Sequence, residues 1–225
     1  MHTHINKLFI DIETIPCQQP DLCAALVERI APPSNYKDPE KIAAWKADKT
    51  ASVVAATGLD GTFGEVCCIG VALDNAAPIA FTGHETDILS QFIDYLVDDV
   101  GVMTHPMWIG HNICGFDLRY LWQRHIIHGL RMPVGIPHNA KPWSDGVFDT
   151  LYEWCGADTR NHGLDMLCQV FGIATKPHKS SEVAELHRAG NLQAIEELCL
   201  HDVRATRELY RLMRQDETIE EMKYG

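Results

Sequence analysis

The chain has 225 residues, 46 % hydrophobic and 22 % charged, a balance ordinary for a soluble globular fold and long enough for one sizeable core. A formal net charge of −12 excludes a protein that coats nucleic acid through a broad basic surface, but not an enzyme that holds a nucleic-acid end through metals and a local patch. No apolar run is as long as a membrane span, and the eight cysteines and twelve histidines show no C-x-x-C, H-E-x-x-H or finger spacing. The expectation is therefore a chain without membrane, zinc or disulfide framework, with reduced thiols in a cytoplasmic setting.

In chain order, Leu8 to Ile15 reads as a short apolar strand closed by Pro16, with Asp11 and Glu13 embedded in it. Side chains alternate along a strand, so these two acids share a face. A carboxylate pair beside Phe9, Ile10 and Ile12 is costly unless a cation lies between them, and such hard oxygen donors suit Mg²⁺ or Mn²⁺. A lone Asp-x-Glu more often marks an edge strand with a solvated acidic face, so the reading depends on acids further along the chain.

Residues 17–64 read as a helical insertion without a chemical motif. One helix runs from Asp21 to Ile30 and a second from Asp38-Pro39-Glu40 to about Ala56. Glu65 to Leu73 is a near-continuous core strand, and Ile79-Ala80-Phe81 is its hairpin partner. An amphipathic helix follows from Thr86, then a buried strand Met107–Gly110, then a helix from Phe116 to His128. Beyond Val147-Phe148-Asp149-Thr150, helices are expected over His162–Phe171, Ser181–Ala189 and from Asn191 to about Gln215. The order predicts a mixed α/β sheet flanked by helices in a single domain, 1–225.

Two further acids stand out. Asp117, after Gly110-His111-Asn112-Ile113-Cys114-Gly115-Phe116, opens a helix just past a buried strand, where an acid also serves as a cap. Asp202 falls on the apolar face of the last helix, one turn after Leu198 and Cys199, and acids are rarely buried without a partner. Asp149 is expected to cap the helix Thr150–Cys155, and Lys176, His178 and Lys179 form a basic loop of the kind that is usually solvated.

Phe9-Ile10-Asp11-Ile12-Glu13-Thr14, Gly110-His111-Asn112-x-x-x-Phe116-Asp117 and His201-Asp202 resemble, in order, the three motifs of the DEDD (DnaQ-like) 3′–5′ exonucleases. Lys141-Pro142-Trp143, Phe148-Asp149-Thr150 and Gly163-Leu164-Asp165-Met166-Leu167 sharpen the resemblance toward the predicted exonucleases related to the proofreading domain of family-B DNA polymerases. The resemblance implies a ribonuclease H-like fold with a mixed five-stranded sheet. It also implies a two-metal site (Mg²⁺ or Mn²⁺) held by Asp11, Glu13, Asp117 and Asp202, acting at the 3′ end of single-stranded DNA or RNA. Thr14 and Ile15 would contact the terminal nucleotide, and Asn112 would fix the loop before Asp117. The family's water-positioning tyrosine or histidine is replaced here by Leu198 or Glu197, while His201 is adjacent to the last acid. The expectation is a slow metal-dependent nuclease, in which Leu198→Tyr raises the rate if that vacancy alone limits it. The alternative is a weak or inactive module that binds nucleic-acid ends or a protein partner.

Overall fold

The structure, a computed structural model, describes residues 6–101, 105–131, 135–156, 162–176 and 178–215. Five strands, β1 (Lys7–Ile15), β2 (Glu65–Leu73), β3 (Ile79–Thr82), β4 (Met107–Gly110) and β5 (Val147–Asp149), form one sheet in the order β3-β2-β1-β4-β5. The β1–β2–β3 pairings are antiparallel; β1–β4 and β4–β5 are parallel. This is the expected mixed α/β sheet flanked by helices. None of the helices among the described residues is long and apolar enough to cross a membrane.

Alternation along β1 sets the two sides of the sheet. Leu8, Ile10 and Ile12 enter a core with Ile88, Leu89 and Phe92 of α3 (Glu85–Tyr95) and Leu118 and Leu121 of α4 (Asp117–Ile127). On the opposite side, Phe9 packs edge-on to Tyr210 of the long C-terminal helix α8 (Leu192–Arg214). Asp11, Glu13 and Ile15 continue along that side.

Helix α8 comes unusually close to the sheet at one point. Gly70 is the cross-strand partner of Asp11, and a Cβ on it would meet Cys199 Sγ of α8 at 2.9 Å. The missing side chain is what lets α8 lie low enough to bring Asp202 toward β1. Just beyond, the β1–β2 register slips between Glu13 and Thr14, leaving Cys67 as the extra residue, whose thiol donates to the Glu13 carbonyl.

The insertion between β1 and β2 contains α1 (Pro20–Glu28) and α2 (Pro39–Ala56), neither with a fully buried residue. The Asp38 carboxylate accepts from Glu40 N at 3.0 Å and caps α2. At the far end of α2, a 3₁₀ turn (Thr57–Leu59) docks on β1: Cys17 N donates to Thr57 Oγ1 (2.8 Å) and Thr14 Oγ1 to the Gly58 carbonyl (2.7 Å). The insertion is therefore a surface excursion whose last turn is built onto the central strand. The remaining α-helices among the described residues are α5 (Thr150–Cys155), α6 (Leu164–Phe171) and α7 (Val183–Arg188).

Candidate active site

The site forms where the sheet opens. β1 pairs with β4 only through Lys7, Leu8 and Phe9, so the amide of Ile12 has no strand partner on that side. The Asp117 carboxylate takes its place, accepting from Ile12 N at 3.2 Å. Asp117 is also the first residue of α4, where unpaired helix amides favour an anion. The loop that delivers it is clamped from β5. Asp149 accepts from Asn112 N (2.9 Å) and Cys114 N (3.1 Å), and from Leu151 N (3.1 Å) at the start of α5. It is both helix cap and loop anchor. Asn112 has φ 62°, a left-handed conformation that asparagine tolerates better than most residues, and its carbonyl accepts from Gly115 and Phe116. Its contribution to the loop is thus made through the main chain.

Asp11, Glu13 and Asp202 each offer an oxygen, and these atoms lie within 4.8 Å of one another. Glu13, Asp117 and Asp202 are buried and Asp11 is half-buried. Burial, then repulsion from Asp202, raises Glu13 from its ordinary 4.5 to about 8. Burial raises Asp117 from 3.8 to about 7, against the main-chain hydrogen bonds it accepts. Asp11 is pushed well above 3.8 by burial and by Asp202, Glu13 and Asp117 in turn. The cluster is electrostatically strained, and Glu13 Oε1 is buried with no hydrogen-bond partner among the described residues.

Two cations already touch the cluster. Lys176 Nζ lies 2.5 Å from Asp202 Oδ2 and 3.8 Å from Asp165 Oδ1, with its side chain 5 % exposed. Read from the sequence as part of a solvated basic loop, it is instead the buried counter-ion of the last acid. Burial opposes its charge, but Asp202 holds its pKa above the usual 10.5. His201 places Nδ1 3.1 Å from Asp202 Oδ1 and Nε2 2.7 Å from the Ala174 carbonyl. Both ring nitrogens face acceptors, which requires the imidazolium, and the bond to Asp202 raises its pKa accordingly. Four carboxylates against two cations leave an excess of two negative charges when all are ionised. A hard-oxygen donor set, an unpartnered buried carboxylate oxygen and that charge excess fit one or more divalent ions.

Asp11, Glu13 and Asp202 form the floor of a cleft of about 340 Å³, while Asp117 lies beside it, bonded to the Ile12 amide. Its walls are Thr14 and Pro16 from the end of β1, Gly58 and Leu59 from the insertion, Phe116, and Ser180, Ser181 and Ala184. The structure places Thr14 on this wall with its hydroxyl committed to Gly58. Ile15 lies elsewhere: it is buried with Leu198, Ile195 and Val183 beneath α7 and α8, and is not in contact with the acid cleft. The expectation that Leu198 stands in the site also needs correcting. It is fully buried in that same cluster, because one helical turn before Asp202 α8 is already covered by α7 and the end of β1.

The raised carboxylates have a consequence for stability. In the absence of divalent ions the folded chain binds more protons than the unfolded chain between about pH 4.5, the unfolded glutamate value, and pH 8, the folded Glu13 value. The cluster's contribution is present at mild acidity and is lost as pH rises toward 8. In EDTA the melting temperature is expected to fall over this range, whereas Mn²⁺, competing with those protons, raises it most at pH 8. At ~100 times its Kd the ion adds about 2.7 kcal/mol, or roughly 5–10 °C for a chain of this size. Differential scanning calorimetry at pH 5.5, 7 and 8 with Mn²⁺ or EDTA measures both effects; equal Mn²⁺ increments at all three values would contradict them.

Residues 59–225 match the family of predicted 3′–5′ exonucleases related to the exonuclease domain of PolB. That stretch contains Asp117 and Asp202, while Asp11 and Glu13 precede it. Among solved structures, the chain is similar to the family B DNA polymerase from the hyperthermophilic archaeon Pyrobaculum calidifontis, with a TM-score of 0.59 and 17 % identity over 94 % of this chain. The match covers 25 % of the polymerase, so the chain spans about a quarter of that protein's length, and at this identity the likeness is one of fold. No curated protein gives a significant match. The chain belongs to the predicted 3′–5′ exonucleases related to the exonuclease domain of PolB.

Proposed function

We propose that the protein is a divalent-metal-dependent 3′–5′ exonuclease that removes nucleotides from the 3′ end of single-stranded DNA or RNA. The observation that carries this reading is the meeting of Asp11, Glu13 and Asp202 within 4.8 Å, with Asp117 bonded to the main chain between the first two, at the floor of a narrow cleft. Asp11, Glu13 and Asp202 would hold one Mg²⁺ or Mn²⁺, and Asp11 with Asp117 a second. Divalent ions bound there supply a water of lowered pKa and charge neutralisation at the attacked phosphate.

In hydrolysis the water oxygen bonds to phosphorus and the bond from phosphorus to the preceding 3′ oxygen breaks. A water proton leaves to a cluster carboxylate or solvent, and the 3′ oxygen takes one up. The products are a nucleoside 5′-monophosphate and a strand shortened by one nucleotide. Lys176 and His201 fix both oxygens of Asp202 and offset part of the cluster's charge, so that a polyanion can approach. The cleft volume suits one nucleotide and not a duplex.

The test is degradation of 5′-labelled single strands in Mg²⁺, Mn²⁺ or EDTA. A ladder of strands shortened from the 3′ end, present with either metal and absent in EDTA, is expected. One observation favours a slower enzyme or an end-binding module: no unengaged tyrosine or histidine among the described residues lines the acid cleft. A strand bound but uncut in every metal would support the module.

His201 acts through Asp202, so His201→Ala is expected to lower activity about 10–100-fold, the usual cost of losing a group that orients a ligand. Leu198→Tyr is expected to give no gain. It forces a larger side chain into a filled core at a cost of ~1–3 kcal/mol. Steady-state rates and melting curves of the two variants check both statements.

A further inference from the structure

A second cleft adjoins the one over the acids at Phe116. Phe116 and Leu59 line both, and the second, of about 410 Å³, runs along the first turns of α4. Tyr120, Arg119 and Gln123 form its α4 side, and Gly61 lies opposite. The space depends on that glycine, because a Cβ on Gly61 would stand 2.6 Å from Gln123 Oε1 and 3.1 Å from the Tyr120 ring. Arg119 is exposed and has no ion-pair or hydrogen-bond partner among the described residues. Asp60, the acid in the lining, has Oδ1 engaged by Thr62 N at 2.9 Å.

We propose that this second cleft binds the nucleotide on the 5′ side of the one being removed, with the Arg119 guanidinium on the phosphate of the incoming strand. The inference rests on the nuclease reading above. The two clefts adjoin across Phe116 and Leu59, and each is of a size to take a nucleotide. A strand reaching the acids meets repulsion from them and from a chain of net charge −12, so an unpaired cation beside the entrance has a direct use. The planar fork of arginine matches phosphate oxygens, and the Gln123 amide can both donate to and accept from a base edge.

Two substrates separate the clefts. Thymidine 5′-(p-nitrophenyl phosphate) carries nitrophenol where the preceding nucleotide would be, so it needs only the acid cleft. A 5′-labelled decathymidylate spans both. With Mn²⁺, Arg119→Ala is expected to raise KM for the strand by about 5–10-fold, to reduce the slope of its salt dependence by about one, and to leave KM for the ester within about twofold. Gln123→Lys, which adds a cation to the same cleft, is expected to lower KM for the strand, a gain that misfolding cannot mimic. Equal changes for both substrates, or none for either, would overturn the proposal. If the unmodified protein hydrolyses neither substrate, it is the nuclease reading that fails. Fluorescence anisotropy of a 5′-fluorescein decathymidylate then decides the cleft: weaker binding by Arg119→Ala upholds it, and equal or absent binding overturns it.

Discussion

Replacing Asp11 by asparagine is expected to lower the metal-dependent rate by ~10³-fold or more while raising the melting temperature of the metal-free protein. Asp11 is the carboxylate that faces the other three, since Asp202, Glu13 and Asp117 all raise its pKa after burial itself. Its loss removes a ligand common to both proposed ions. It also removes a charge repelled by three others, at a site where Cys199 Sγ already donates weakly to the carboxylate at 3.5 Å. The opposed signs are the diagnostic feature. A residue that merely supported the fold would lose activity and stability together, and a solvated surface acid would change neither. Nuclease assays on 5′-labelled strands and calorimetry in EDTA read the two quantities, and wild-type activity in Asp11→Asn would reject the role given to it.

The largest effect on stability is expected at a place the catalytic motifs do not touch. Glu85, at the start of α3, and Arg124 on α4 form a two-point ion pair with both side chains 3 % exposed. Arg124 Nε and Nη2 donate to Glu85 at 2.8 and 2.6 Å, and Arg124 Nη1 donates to the Gly61 carbonyl at 3.3 Å. Val66 N on β2 also donates to Glu85, at 2.7 Å, and His128 Nε2 lies 2.6 Å from it. The network ties two helices, a strand and the last turn of the insertion. Although burial works to raise the Glu85 pKa, the bonds from Arg124, Val66 and His128 lower it on balance. Its stabilising contribution is therefore present above the unfolded value and lost as pH falls through the folded one.

Arg124→Ala leaves a buried, uncompensated carboxylate and is expected to cost about 3–5 kcal/mol, or roughly 6–20 °C in melting temperature. Exchanging both partners, Glu85→Leu with Arg124→Met, is expected to recover much of the loss, since the cost lies in the orphaned charge. The Mn²⁺-induced rise in melting temperature should survive in both variants because the acids are elsewhere. A loss below ~1 kcal/mol in Arg124→Ala would show that the pair is solvated in practice.

The sequence made the acids legible because each sits in a regular element whose period assigns it a side. Asp11 and Glu13 follow strand alternation, Asp202 lies on the apolar stripe of a long helix, and Asp117 follows a strand-to-helix junction. What escaped depends on contacts between distant segments. Lys176 looks like a loop lysine until Asp202, 26 positions later, is brought against it. Leu198 shares the helix face of Asp202, but periodicity fixes a direction around α8 and not what covers each turn along it. Strand alternation likewise gives Ile15 a side of β1 and not the α7 and α8 residues that bury it. Glu85 and Arg124 are charged residues in amphipathic helices, and only their pairing accounts for their burial. The insertion's part in the cleft wall, through Gly58 and Leu59, carries no motif and rests on Thr57 and Thr14 hydrogen bonds to and from β1.

The central claim is that the acid cluster is a divalent-metal site held together against its own charge, and its most direct test is calorimetric titration of Mn²⁺ at pH 7. In buffers of differing ionisation enthalpy the titration counts the protons released on binding. With Glu13 raised to about 8 and Asp117 to about 7, the metal-free cluster holds protons that a bound cation must displace. Saturable binding with net proton release, abolished in Asp11→Asn, is the expected result. No saturable binding, or binding that is unchanged in Asp11→Asn and releases no proton, would contradict the account.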